Sequence, residues 1–480
     1  MSSFGICFGS TSIAIALHKG DRSEVLSDET GSRSTPAYVS FRDKEKLVGL
    51  AAKQQMSRNE TNTILHVKQF LGKKFSDVTD LVENSSFRVE EDSDGMPIFA
   101  IDWAGKPKTF TPTQLATILF AALKDTATSG SGETGSNLRA VLAAPYNFSD
   151  KQKTDLKEAA TSAGFKIERI ICEPAAAALA YNIGQDNPNE KKFILVFRLG
   201  GQSLDVTIIL VAAGMYQVIA NKHVSGIGGN LIDTLVAAHL ATEFQRIYKI
   251  DIRENRRAMY KLGVAAEEAK RTLSSSTTAS IDIDSLHEGQ SFQQKIGRAK
   301  FESLCSHVLS QCIQVTKDVL SGEKLIANQV ILCGGCSRIP LLKQMLLDAL
   351  PGVSLLNGIS PDEVIALGAA EQCMLVNENI LDKDETIPCT SYAILAKVLS
   401  GELVPLVAKH VPLPMKVSRS VSLSKDSRIT VYESESDAEL VNERLLTEIN
   451  FSDETNVDFS KPVKLTCNVA RDSSVTLLAV

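Results

Sequence analysis

Two stretches of this chain repeat one another in pattern, and the repetition limits the folds open to it. Phe4 to Leu17 runs apolar, turns at Gly9-Ser10-Thr11-Ser12 and resumes with alternating Ile13, Ile15 and Leu17. Phe193 to Leu210 runs Ile194-Leu195-Val196-Phe197, turns at Gly200-Gly201-Gln202-Ser203 and resumes from Val206. Each predicts a β-hairpin closed by a turn of glycine and hydroxyl residues. A second pair follows in step. Ala140 to Ala144 leads through Pro145 into a helix from Asp150, and Val330 to Cys333 leads through Gly334-Gly335 into a helix after Pro340. A hairpin and then a strand, tight turn and helix, once in each half, predict a duplicated α/β domain whose turns face a shared cleft. A ligand held by turns from both lobes follows.

The remaining sequence narrows the setting. The 51 basic and 57 acidic residues give a net charge of -6, so no bulk field favours nucleic acid or an anionic membrane, and direct nucleic-acid binding is not expected. Met1 to Gly20 has no basic leader, and Ser10 to Ser12 interrupt its apolar run, so no signal peptide is read there. The apolar stretch Val206 to Met215 is too short to span a bilayer and reads as a buried strand with its turn. Nine cysteines at irregular spacing point to reduced thiols and hence to the cytosol of the cytoplasm. Cys333 and Cys336 form a C-G-G-C, but no second pair or nearby histidine completes a metal site, so they read as strand and turn residues.

Along the chain, Lys300 to Ser321 places Phe301, Leu304, Cys305, Val308, Cys312, Val315 and Val319 on one helix face, closed by Gly322. A helix from Asp150 to Ala163 ends likewise at Gly164. Ser129 to Asn137 reads as a glycine- and serine-rich surface loop, and Ser274 to Ser280 joins a helix ending near Leu273 to a strand, Ser280 to Leu286. From Tyr392 onward short alternating runs recur, at Val404 to Val407, Val417 to Leu423, Arg428 to Tyr432, Val463 to Val469 and Val475 to Val480. They predict a small β-sandwich-like domain with no long helix after it.

Phosphates bind where backbone N–H groups converge, and glycine lets a chain approach closely enough for that. Gly9, Gly200, Gly201, Gly228, Gly229, Gly334 and Gly335 are the candidates. Their order carries a resemblance. Gly5-Ile6-Cys7-Phe8-Gly9-Ser10-Thr11, Leu199-Gly200-Gly201-Gln202-Ser203-Leu204-Asp205-Val206, Ile227-Gly228-Gly229, Cys333-Gly334-Gly335-Cys336-Ser337-Arg338-Ile339-Pro340 and Ser360-Pro361-Asp362-Glu363 resemble, in sequence, motifs of the heat shock protein 70 chaperones. Glu173-Pro174-Ala175-Ala176-Ala177-Ala178 and the run Ala265 to Ser276 belong to the same match, which extends from residue 4 to about residue 376.

The resemblance implies an actin-like (ribonuclease H-like), duplicated two-lobed nucleotide-binding domain and a short β-sandwich domain without a helical lid. Its lobes would be residues 1–189 and 190–376, followed by a linker, 377–390, and a truncated peptide-binding-type domain, 391–480. It also implies ATP as ligand. Gly9, Ser10, Thr11 and Lys68 would meet the β- and γ-phosphates; Gly200, Gly201, Gln202, Ser203, Gly228 and Gly229 would form the second phosphate turn and its neighbour. Glu267, Lys270, Arg271, Ser274, Gly334, Gly335, Arg338 and Asp362 would surround adenine and ribose. Lys68, Glu173 and Asp205 stand where the family keeps catalytic residues.

The departures carry as much information. The family places aspartates where this chain has Cys7 and Arg198, and those carboxylates organise the hydrated Mg2+. Mg2+ is therefore in question, no separate metal site is expected, and hydrolysis should be much weaker than binding. Gln202 replaces a glycine, and Asn230-Leu231 replace acidic residues. For Arg198 two readings stand side by side: a guanidinium supplying charge and donors to the phosphates, or an ion pair at the surface or between lobes. The segment Ile380-Leu381-Asp382-Lys383-Asp384-Glu385 keeps only a fragment of the leucine-rich linker.

These departures resemble the family's atypical ribosome-associated member. That subgroup implies a stable complex with a zuotin-type J-protein, ribosome contact through that partner, help to nascent polypeptides and a part in stress responses. An ordinary ATP-cycling chaperone is the alternative. A sugar kinase or actin-like filament protein on the same duplicated fold is disfavoured by the β-domain and the heat-shock signatures.

Overall fold

A computed structural model describes residues 2–377 apart from 21, 133–137, 185–190, 213–214 and 323–325. Further on it describes 390–398, 401–409, 411, 415–421, 428–436, 439–450, 463–469 and 474–479. The chain divides into two compact units, Met1–Lys383 and Asp384–Val480.

The first unit contains the duplicated pattern. In its first half Ser3–Phe8 pairs antiparallel with Ser12–Lys19 and parallel with Leu138–Ala144, which pairs parallel with Phe165–Cys172. In its second half Lys192–Leu199 pairs antiparallel with Ser203–Ala212 and parallel with Gln329–Cys333. The two hairpin turns close with the same bond, Gly9 N–H to the Ser12 carbonyl (3.0 Å) and Gly200 N–H to the Ser203 carbonyl (2.9 Å). Helices cover these sheets, which is why their central strands are apolar on both faces. Pro112–Ser131 opens with a capping box, Thr111 with Gln114, and buries Leu115, Leu119, Phe120 and Leu123; Phe120 stacks on Phe8 with ring centroids 4.7 Å apart. On the second sheet's side lie Gly229–Tyr248, Arg298–Gly322 and Pro340–Ala349, while Arg256–Leu273 packs on Gly229–Tyr248 and on a separate hairpin of Thr278–His287 and Gln290–Gly297.

Two small-residue helices cross between the halves. Glu173–Ala180 is fully apolar after its first residue because it is buried almost all round. Val364–Asn377 returns to the first sheet, and its backbone comes so close that a Cβ on Gly5 would lie 2.1 Å from the Ala370 nitrogen. Where the two helices cross, a Cβ on Gly368 would lie 1.7 Å from the Ala176 carbonyl oxygen. Only glycine permits either approach.

Some expected elements are displaced. The helix Pro112–Ser131 runs into the stretch read as a loop from Ser129, ending at left-handed Gly132, because Gly130 packs on Leu26; residues 133–137 lie outside the described residues. The helix Arg298–Gly322 buries Phe301, Cys305, Val308, Leu309, Cys312, Ile313 and Thr316, so Leu304, Val315 and Val319 sit at the margin of the buried face. The sheets above it select the side that packs best.

The second unit has a four-stranded sheet in the order Leu403–Val407, Ala393–Val398, Arg428–Ser434, Arg444–Asn450, and a three-stranded sheet, Met415–Val421, Val463–Val469, Val475–Ala479. Ile394, Ala396, Val431, Leu465 and Cys467 form its core. No helix occurs among its described residues. Arg444–Asn450 escaped the sequence reading because it is an edge strand, mostly exposed, whose Leu445 points outward. The linker reading falls largely on 378–389, outside the described residues.

Candidate functional site

The glycine turns converge, and the approach distances show how. A Cβ on Gly201 would lie 2.4 Å from Thr11 Cγ2, so the first and second phosphate turns touch. A Cβ on Gly228 would lie 2.6 Å from the Gly201 carbonyl carbon, and one on Gly229 would lie 2.5 Å from Cys336 Sγ and 2.9 Å from Lys270 Nζ. Left-handed Gly334 (φ 82°) packs on the Leu199 carbonyl at the base of the second hairpin. One continuous surface therefore links Thr11, Gly201, Gly228, Gly229, Lys270 and Cys336. Gly229 N–H and Asn230 N–H bond the Gly200 and Gly201 carbonyls, at 2.9 and 2.8 Å. The internal bonds of the two hairpin turns run from Gly9 to Ser12 and from Gly200 to Ser203, which places Ser10, Thr11, Gly201 and Gln202 within the two apposed turns.

Beneath these turns lies a chain of buried ion pairs. Lys68 Nζ donates to Glu173 Oε1 at 3.0 Å, and Arg198 Nε lies 3.0 Å from Glu173 Oε2. Arg198 donates to Asp205 Oδ2 at 3.1 Å, and His223 Nδ1 lies 2.6 Å from Asp205 Oδ1. Lys68 and Glu173 are 5% and 3% exposed, whereas the far end of the network reaches solvent at His223, 33% exposed. Burial alone would depress Arg198, but Glu173 and Asp205 outweigh it and push the guanidinium above its ordinary value. Burial alone would raise Asp205; the His223 hydrogen bond and the Arg198 charge reverse that and hold its carboxyl low. Cys7 is pushed up to about 11 by burial and by Glu173, so its thiol stays neutral where the family has a charge. Both carboxylates are thus engaged at both oxygens.

At the back of the cleft Lys270 Nζ donates to Asp233 Oδ2 at 2.6 Å and to the Gly229 carbonyl at 3.2 Å, while Asp233 Oδ1 is buried with no partner among the described residues. Arg271 donates to Glu267 at 2.7 Å, and Glu267 also meets Lys53 from the first half. Ser274 Oγ caps the Lys270 carbonyl at 3.0 Å. Arg338 Nε donates to Asp362 at 3.1 Å and Gly334 N–H to the Pro361 carbonyl at 2.7 Å, so the residues expected around ribose share one corner. A Cβ on Gly335 would meet nothing within 4 Å, which leaves that side open.

This geometry finds its counterpart among known proteins. The Hsp70 protein family profile matches residues 3–453. The chain belongs to the Hsp70 family. It is 41% identical over 406 residues to heat shock 70 kDa protein 14 of Bos taurus, covering 83% of this chain and 79% of the relative. It is 42% identical over 428 residues to that of Xenopus tropicalis and 40% over 429 residues to that of Homo sapiens, covering 87% of this chain and 84% of the relative in both cases. The two-lobed, actin-like architecture is the Hsp70 nucleotide domain.

Within that Hsp70 frame, glycine alone allows the two turns to approach each other at Gly201 and Gly228. A divalent ion held by carboxylates fits poorly. Lys68 and Arg198 balance Glu173 and Asp205, and no group of three or more His, Cys, Asp or Glu among the described residues has a metal-holding arrangement. Arg198 is neither at the surface nor free; it ties the first half to the second through Glu173. Cys333 and Cys336 are buried free thiols, one in the strand and one in the turn. Among the described residues no helix is long and apolar enough to cross a membrane. Four participants escaped the sequence reading. His66 adjoins the Val67-Lys68-Gln69 motif, so proximity could have flagged it; His223 faces Asp205 across the hairpin of Ser203–Ala212 and Met215–Ser225, so strand register could have flagged it; Lys53 and Asp233 carry no local signal, since each acts on a residue far along the chain.

Proposed function

We propose that this Hsp70-family chain binds ATP, turns it over at close to background, and works with a zuotin-type J-protein at the ribosome on nascent polypeptides in the cytosol. The buried chain Lys68–Glu173–Arg198–Asp205–His223 carries the first part of the reading. A general base must have an oxygen within reach of the water it activates, and here both carboxylates already accept short, charged hydrogen bonds. Ser10, Thr11, Gly201, Gln202 and Ser203 would hold the phosphates; Lys270, Arg271, Ser274, Gly335 and Arg338 would hold base and ribose. ATP then acts as a ligand that stabilises the nucleotide domain by mass action rather than as fuel. The net charge of -6 supports the partner half, since it favours attachment through a basic protein over direct contact with ribosomal RNA.

Two measurements test this. Single-turnover hydrolysis should stay near the uncatalysed rate while ATP binding is measurable; turnover at the rate of an ATP-cycling Hsp70 would overturn the first half. Sedimentation from cells with and without the J-protein should show ribosome association lost with the partner. Undiminished association, or none in either case, would overturn the second.

A further inference from the structure

Two departures from the Hsp70 pattern meet at one side chain. His66 Nδ1 lies 3.1 Å from the Ser10 carbonyl, an acceptor only, so Nδ1 carries the proton and Nε2 is left as an acceptor. Facing Nε2 from the other lobe are Gln202 Nε2 at 2.8 Å and Asn230 Nδ2 at 3.4 Å. Gln202 stands where the family has a glycine, which has no side chain to reach across. Asn230 stands where it has an acidic residue, which could not donate. Burial lowers the His66 pKa, the Ser10 bond opposing only in part, so the ring is neutral and can accept both amides. Its backbone is left-handed (φ 61°, ψ 27°), a conformation uncommon outside glycine that persists only where the surroundings fix it.

We propose that His66 is a latch between the lobes, accepting from Gln202 and Asn230 so that the phosphate turns stay closed on each other whether or not nucleotide is bound. Here the protein's own side chains bridge the turns. The latch extends the reading of ATP as a static ligand and rests on it only for the effect on nucleotide release.

The test uses the full chain with spin labels attached through non-canonical residues at exposed Lys46 and Gln290, one on each lobe, leaving the cysteines untouched. The wild-type distance distribution should be single and the same without nucleotide and with ATP. His66→Ala and Gln202→Gly should each broaden it without nucleotide, and ATP should narrow it again. Release of a fluorescent ATP analogue should quicken about tenfold in either variant, the loss expected for one or two hydrogen bonds. The double variant should be no faster than His66→Ala alone, since that substitution already removes the contact to Gln202. Gln202→Gly keeps the ring in place, so it remains informative if His66→Ala folds poorly. A wild-type distribution that shifts on adding ATP, or a Gln202→Gly distribution identical to wild type, would overturn the latch. Failure of the analogue to bind would count against the nucleotide reading alone, because the nucleotide-free distances still decide the latch.

Discussion

Replacing Arg198 by aspartate removes the only one of the described residues that pairs with both Glu173 and Asp205, and sets a third carboxylate beside them. Breaking a buried ion pair typically costs about 3–5 kcal/mol. Lys68 stays with Glu173 and His223 with Asp205, at 3.0 and 2.6 Å, which holds the loss to about 4 kcal/mol even with the added charge. Unfolding entropy near 2.1 cal/mol/K per residue gives about 0.8 kcal/mol/K for a unit of this length, so Arg198→Asp should lower Tm by about 5 °C without nucleotide. The same substitution turns a balanced site into an acidic one that favours a divalent ion. ATP with Mg2+ at about a hundredfold excess over its Kd should then return about 2.7 kcal/mol, or roughly 3 °C. EDTA should abolish that gain in the variant, because the phosphates would face unshielded carboxylates. In the wild type the ATP shift should be equal with Mg2+ and with EDTA, since Arg198 and Lys68 already neutralise the site. Thermal denaturation in four conditions decides it. A wild-type ATP shift that vanishes in EDTA, or a variant shift indifferent to EDTA, would refute the reasoning.

Gly201→Ala should cost about 1–3 kcal/mol by overpacking against Thr11, whereas Gly335→Ala, whose Cβ would enter open space, should leave Tm unchanged; equal Tm values for the two would contradict the described apposition. His223→Ala should change the acid side of the stability profile. The folded pKa of Asp205 lies below its unfolded value, so its contribution is present above the unfolded pKa and lost as pH falls through the folded one; without His223 that loss should begin at higher pH in denaturant titrations.

The sequence by itself determined the duplication. Gly9 and Gly200 announce turns because they sit between alternating apolar runs, and those runs become paired strands by local periodicity alone. It also determined the chemistry that is absent, since Cys7 and Arg198 cannot do what carboxylates do. What Arg198 does instead was decided only by the tertiary structure. Whether a guanidinium meets phosphate, solvent or carboxylate depends on Glu173 and Asp205, which reach it from a helix of the first half and from the neighbouring strand of the second. His66, Lys53 and Asp233 were invisible for the same reason: a hydrogen bond is set by distances of about 3 Å between residues as far apart in sequence as His66 and Gln202, and no local pattern encodes that meeting. The helix Pro112–Ser131 outran its predicted end because packing of Gly130 on Leu26 outweighs the weak helix preference of glycine and serine. Periodicity sets elements, whereas the contacts that give a site its charge and its closure arise only when the chain has folded back on itself.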